Sequence, residues 1–341
     1  MSYLASLDLS TNRFSGQIPP LGDLQKLHFL DLSYNMLQGK IPDAVTNCSN
    51  LQGLYLAGNL LVGEIPKKVA LLSNLLDLWL HSNNLTGAIP SELGNITTLK
   101  QLILQANQLH GSIPEELGKL SNMSNLLLGG NMLSGTIPEA LLNLSSLQQM
   151  DMPFNMLHGP LPSKMGNFLP DLRILYLSAN MLGGHIPESL ANASELQSIE
   201  LGYNFGFAGK IPPSLAKLRG LRTLGLNNNN LEAEDSQSWE FLDALTNCTR
   251  LVRLSLYGNL LQGVLPDSVG NLSSNLEYLT LGSNMLYGLV PSSIGNFHKL
   301  NKLDLQNNSF TGVIGGWIEN MVGGFIHSEQ PLQWAHSRFH W

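Results

Sequence analysis

The chain has 341 residues, 43% of them hydrophobic and 13% charged, with 18 Lys and Arg against 25 Asp and Glu for a formal charge of −7. That balance excludes an extended basic surface for nucleic acid, and the apolar content excludes a compositionally disordered chain. Two cysteines, Cys48 and Cys248, are too few for a small disulfide scaffold or a cysteine metal site. No uncharged apolar window is long enough for a membrane helix, and the opening MSYLASLDLSTN has neither the basic leader nor the apolar run of a secretory signal.

One pattern, LxxLxLxxNxLxGxIPxxL, starts at Leu4 and recurs to the end of the readable chain. Its asparagine falls at Asn12, Asn35, Asn59, Asn83, Asn107, Asn131, Asn155, Asn180, Asn204, Asn229, Asn259, Asn284 and Asn308. The spacing is 24 or 25 residues except for one of 23 and one of 30, which predicts a solenoid of stacked turns. In Leu54-Tyr55-Leu56 or Leu102-Ile103-Leu104 the outer leucines point inward and the middle residue faces solvent, as in a short strand; neighbouring turns then build a parallel sheet. An asparagine amide both donates and accepts, so where the chain bends inward it can satisfy buried backbone groups. The recurring Gly-x-Ile-Pro segment suits a tight bend followed by an extended return, and a stretch such as Ser91–Asn95 has room for only one helical turn.

These motifs resemble the extracellular leucine-rich-repeat region of plant receptor-like kinases and receptor-like proteins, and the insertion resembles that of the immune subfamily containing the rice bacterial-blight receptor and the flagellin and elongation-factor receptors. The resemblance covers roughly residues 1–314. It implies an α/β solenoid, a right-handed superhelix with a parallel sheet on the concave face and short helical or extended returns on the convex face. It also implies a peptide, protein or small-hormone ligand on the concave face, a leucine-rich-repeat co-receptor kinase as partner, and an extracellular or cell-surface location. No kinase glycine-rich loop or catalytic Asp motif is found in this sequence, so the expectation is non-catalytic recognition, with no cofactor and no metal. A soluble inhibitor or decoy, similar to plant polygalacturonase inhibitors, and a receptor fragment without an independent role are the alternatives.

The long interval from Asn229 to Asn259 places an insertion near residues 230–247, about one and a half helical turns in length. Ser238 is expected to cap a helix whose Trp239, Leu242 and Leu245 share one face, either packed on the convex side or presented to a partner. On the solvent side of the predicted sheet, Tyr55, Trp79, Ile103 and Leu127 form an apolar lane over four turns, with Asp77, His81, Gln101, Gln105 and Asn125 beside it. Exposed aromatic groups rimmed by polar ones suit a binding patch, although cross-strand packing explains them as well. Tyr176 extends this surface, and Arg253 with Tyr257 is the best cationic and aromatic pair of the later turns.

Nine N-glycosylation sequons occur, at Asn47, Asn84, Asn95, Asn122, Asn143, Asn192, Asn247, Asn271 and Asn307. Cys48 and Cys248 share a Thr-Asn-Cys setting eight turns apart, roughly 38 Å at about 4.8 Å per strand, so they are expected as two separate buried thiols. After Gly312 the pattern decays, and residues 315–341 are expected to be a degenerate tail; its His336 and His340 lack a third metal ligand.

Overall fold

A computed structural model of the chain describes residues 3–21, 24–235 and 237–322. Thirteen three-residue strands, from Ser6–Asp8 to Lys302–Asp304, pair in chain order into one parallel sheet. The register is constant, with Leu54 beside Leu78 and Leu78 beside Leu102, so each central leucine lies under its counterpart in the next turn; those of the inner turns are fully buried, while Leu7 and Leu303 at the two ends are half-buried. Because each turn buries its leucines only against its neighbours, stability accumulates along the array.

The asparagines form the expected internal ladder. Asn107 Nδ2 donates to the carbonyls of Leu80 (3.0 Å), Leu104 (3.1 Å) and Gln105 (3.3 Å), while its Oδ1 accepts from Leu85 N–H at 3.0 Å. Each asparagine thus ties its own turn to the one before it. The two bonds to its own turn span the preceding residue, which is held in the left-handed region at Ala106 (φ 52°), Phe154 (φ 54°) and Tyr203 (φ 56°). Asn35 through Asn259 are buried at every rung, Asn284 and Asn308 are half-buried, and Asn12 at the first rung is exposed.

The return segments are more regular than the sequence suggested. Their Leu-x-Gly stretches pair as parallel strands on the flank of the array, in one ladder of four strands and another of nine. The ladder is interrupted between Asn84–Thr86 and His110–Ser112. Glycines such as Gly63 and Gly87, both at φ 80°, make the bend that follows. From Pro42 to Pro212, each Pro of the Ile-Pro pair then sits in extended backbone ahead of a single 3₁₀ turn, as Pro90 does before Ser91–Asn95.

The insertion folds as an α-helix, Glu240–Leu245, in the convex column, where most other turns are 3₁₀ and Met165–Phe168 is a further short α-helix. Trp239 (4% exposed), Phe241, Leu242 and Leu245 are buried, the Trp239 ring stacks on Phe241, and its indole N–H donates to Gln262 O at 3.1 Å. Ser238 does not cap this helix. It is itself buried, its hydroxyl accepts from the N–H groups of Glu234 and Asp235, and the Asp235 carboxylate takes up the Ser238 N–H at 2.7 Å. Asp235 therefore does the work expected of Ser238, because the turn begins three residues earlier than the apolar spacing implied.

Both cysteines are free and buried, and each thiol points at a backbone carbonyl of the preceding turn: Cys48 at Leu21 O (3.4 Å) and Cys248 at Leu218 O (3.5 Å). The thirteenth turn still closes with a helix, Trp317–Val322, within the segment expected to be degenerate. Trp317 and Met321 pack against the core from there. His336 and His340 lie outside the described residues.

Candidate functional site

The solvent side of the thirteen-stranded sheet gathers most of the expected site residues into two groups. The first begins where Gly53 leaves room for the Tyr55 ring to lean across it. That lean brings the Tyr55 hydroxyl to Asp77 Oδ2 at 2.9 Å, Asp77 being the register partner of Gly53. Tyr55 meets Trp79 edge to face with centroids 4.8 Å apart, Trp79 lies 6.4 Å from His81, and His81 Nε2 is 3.4 Å from the hydroxyl of Tyr34. Tyr34 was not foreseen as part of this group; it stands on the rim at φ 55°, and its recurrence just before a ladder asparagine is the signal that marks it.

Burial raises the Tyr55 phenol, reinforced by the Asp77 carboxylate, and burial pushes His81 below the usual imidazole range, so the ring is neutral at pH 7. Two nitrogens of the group, Trp79 Nε1 and His81 Nδ1, are buried without a hydrogen-bond partner. A buried polar atom left unpaired costs about 1–3 kcal/mol.

Beyond Trp79 the lane continues through Ile103 and Leu127. Ile103 is only 9% exposed, a correction to its expected solvent-facing position: by register it lies between the Trp79 ring and Leu127, which leave it little open surface. Gln101, Gln105 and Asn125 are half-buried beside it. Asp151 follows, then Tyr176 and Glu200.

The second group surrounds a concave hollow of about 690 Å³ between Phe154, Glu200, Tyr203, Arg253, Tyr257 and Tyr278. Arg253 does not pair with Tyr257 in the way the sequence suggested: its guanidinium stacks over Tyr278, 4.7 Å from the ring centroid, because the two are register partners on neighbouring strands. Tyr257 lines the same hollow from one residue pair farther along its turn. Glu200, Tyr203, Phe154 and Tyr278 are further members of this second group. A larger groove of about 1050 Å³ lies off this face, on the flank where the outer ladder is interrupted. Its carboxylates are partly paired, Glu92 with Lys67 at 3.0 Å, and its lining holds His110 and His158 but no Phe, Tyr or Trp.

All nine sequon asparagines are exposed. Asn47, Asn95, Asn143, Asn192 and Asn271 each end a 3₁₀ turn, off the concave face. Asn84 and Asn307 stand next to ladder asparagines, at the opposite end of the strands. Among the described residues, no three His, Cys, Asp or Glu side chains converge as a metal site, and no helix is long and apolar enough to cross a membrane.

A solenoid of repeats whose one continuous open face carries aromatic, apolar and polar lanes is a binding scaffold of the leucine-rich-repeat class. The chain belongs to the Leucine Rich Repeat family, whose pattern matches residues 3–22, 26–48, 74–96, 98–120, 171–193, 250–272, 275–297 and 299–321. It is similar to the receptor kinase-like protein Xa21 of Oryza sativa subsp. japonica, 42% identical over 69 residues, which is 20% of this chain and 7% of that receptor. The fold matches the leucine-rich-repeat ectodomain of the Arabidopsis receptor kinase HAESA, solved in complex with an N-terminally extended IDA peptide hormone ligand, at a TM-score of 0.84 and 36% identity over 93% of this chain and 52% of that one. It also matches HAESA in complex with IDA and the co-receptor SERK1, at a TM-score of 0.63 and 28% identity over 93% of this chain and 64% of that one. The chain thus resembles plant receptor-kinase ectodomains and spans only a fraction of the curated relatives' length.

Proposed function

We propose that this chain is a non-catalytic recognition module that holds an extended peptide or protein segment along its concave face. Residues 1–314 supply the binding array, and the helical insertion near 230–247 braces its convex side. The observation that carries this reading is the unbroken lane from Tyr55 through Trp79, Ile103 and Leu127, with the unpaired Trp79 N–H beside it. Such a lane offers apolar contact to a ligand's side chains. The ectodomain likeness supports an extracellular or cell-surface setting, a leucine-rich-repeat co-receptor kinase as partner, and glycans on the exposed sequons.

Affinity capture tests the reading. The immobilised protein and its Trp79→Ala variant are exposed to the same extracellular plant peptide fraction, and bound peptides are identified by mass spectrometry. Peptides retained by the unmodified chain and lost from the variant are expected, whereas identical profiles would refute a role for the lane. The intact mass of the native protein before and after N-glycan removal tests the cell-surface setting, and an unchanged mass argues against it.

A further inference from the structure

The concave strands of the first ten turns contain no Lys or Arg, yet they carry Asp8, Asp31, Asp77, Asp151 and Glu200. Most of these carboxylates are accounted for. Asp8 and Asp31 accept backbone N–H groups within their own turns, and Asp77 holds the Tyr55 hydroxyl. Asp151 and Glu200 are different. By backbone register they flank Tyr176 in one lane, their strands two spacings or about 9.6 Å apart, with the Glu200 carboxylate turned onward over Gly225.

Asp151 is 8% exposed; its Oδ2 has Gln149 Nε2 at 3.3 Å, the Gln105 amide also acts on the carboxylate, and its Oδ1 is buried with no hydrogen-bond partner. Neither Asp151 nor Glu200 takes part in the ion pairs found among the described residues. The cation that acts on Glu200 is Arg253, two turns on, whose guanidinium stacks over the ring of Tyr278. Between them Gly225 has no side chain, and the Glu200 carboxylate lies in the space a Cβ would fill. Burial raises both carboxyls: at Asp151 it outweighs the Gln149 and Gln105 amides, and at Glu200 it outweighs the pull of Arg253.

We infer that Asp151, Tyr176 and Glu200 form a seat for an arginine side chain of the bound peptide. This rests on the concave-face reading proposed above and names the chemistry of one subsite within it. Asp151 beside the Tyr176 ring matches a planar guanidinium, which stacks on the ring and donates from one edge, while Glu200, whose carboxylate reaches on over Gly225, adds negative charge from the next turn; an ammonium has no planar face to stack. An incoming cation also supplies the partner that Asp151 Oδ1 lacks. Leu127 lies two strand spacings from Tyr176, about 9.6 Å or roughly three residues of extended chain, so the ligand should carry an apolar residue three positions from its arginine.

The probe is the peptide acetyl-Leu-Ala-Ala-Arg-Ala-Ala-Leu-amide, which presents that spacing in either chain direction, with two companions carrying citrulline or lysine in place of arginine. Binding is measured by calorimetry at pH 7 and low salt. The arginine peptide should bind about tenfold more tightly than its neutral citrulline counterpart, with lysine between them. Asp151→Asn should erase most of that preference, and Gly225→Ala, which displaces the Glu200 carboxylate without removing it, should erase part of it. Thermal unfolding of each variant reports whether it is folded, and the comparison among peptides on the unmodified protein does not depend on the variants. No binding of the arginine peptide, equal binding of arginine and citrulline, or a preference that survives Asp151→Asn overturns the inference. If arginine and citrulline peptides bind equally and both are lost with Trp79→Ala, the concave-face reading stands and the arginine seat alone fails. If binding is untouched by Trp79→Ala and Asp151→Asn together, both fail.

Discussion

The asparagine ladder can be tested at one rung by replacing Asn107 with Ala and with Asp. The carbonyls it serves are each served twice: Leu80 O also receives Asn83 Nδ2 at 3.1 Å, Leu104 O receives Asn131 Nδ2 at 3.0 Å, and Gln105 O receives Ser82 N–H at 2.9 Å. Removing the Asn107 amide therefore orphans no carbonyl. It strands the buried Leu85 N–H, whose acceptor is Asn107 Oδ1, and it releases the brace over left-handed Ala106. An orphaned buried N–H costs about 1–3 kcal/mol, so Asn107→Ala should destabilise the array by about 2–3 kcal/mol. Asn107→Asp keeps the acceptor for Leu85 but turns a carboxylate toward three carbonyl oxygens, and should be worse than Ala at pH 7.

The introduced carboxyl titrates higher in the native state than in the unfolded chain. Its penalty is therefore absent below the unfolded value of about 3.9, grows as pH rises through the native value, and is complete at pH 7. Urea unfolding at pH 7 and pH 3, together with hydrogen exchange at the Leu85 amide relative to the unmodified chain at each pH, reads both effects. If Asp is no worse than Ala at pH 7, or if its deficit does not shrink in acid, the donor half of the ladder is not what holds these turns together.

Trp239→Ala removes a buried ring, its stack on Phe241 and its bond to Gln262 O, and should cost about 3–5 kcal/mol, seen as a lower urea midpoint with faster exchange over residues 237–248. Burial pushes the Cys248 thiol up to about 11, so it should resist iodoacetamide at pH 8 in the native protein and react once unfolded. Because that thiol's native value lies above its unfolded one, its contribution to stability is intact below the unfolded value and is lost as pH rises toward 11, a loss that Cys248→Ala should abolish. Burial likewise raises the Asp151 carboxyl, so its contribution is present in acid and lost as pH rises through the native value; Asp151→Asn should melt above the unmodified chain at pH 7 and level with it at pH 3.

The array was legible in the sequence because a single period carries it. Leucines at fixed offsets, an asparagine at each bend and glycine before Ile-Pro require the same local answer thirteen times, and repetition removes the ambiguity that a lone three-residue strand would have. Where the period breaks, legibility drops. The insertion's buried face followed from Trp239, Leu242 and Leu245, but its start did not, since Asp235 and Ser238 are both good capping residues and only their bonding distinguishes them. The flank ladders were missed for a different reason: Leu-x-Gly is too short to read as a strand, and it becomes one only because the next turn presents the same edge.

The recognition face was legible as lanes but not as contacts, and the difference lies in the residues that have no side chain. Period-two spacing places Tyr55, Trp79, Arg253 and Tyr257 on the open side of the sheet, yet it does not say which way each leans. That is decided by gaps in the neighbouring positions: Tyr55 leans over Gly53 to reach Asp77, Glu200 reaches across Gly225, and Tyr257 lies against the open space at Gly282, where a Cβ would stand 3.0 Å from its ring. In a tightly stacked sheet a glycine in one turn is thus a positional instruction to a side chain nearby. Gly53→Ala should then act on the first aromatic group without touching any member of it: the Tyr55 ring is driven off, its bond to Asp77 is lost, and the elevated phenol should titrate at a lower pH as the carboxylate and the burial that raise it are withdrawn. Ultraviolet titration of tyrosinate in the two proteins measures that shift, and an unchanged high-pH phenol in Gly53→Ala would show that the lean is set by Trp79 rather than by the gap.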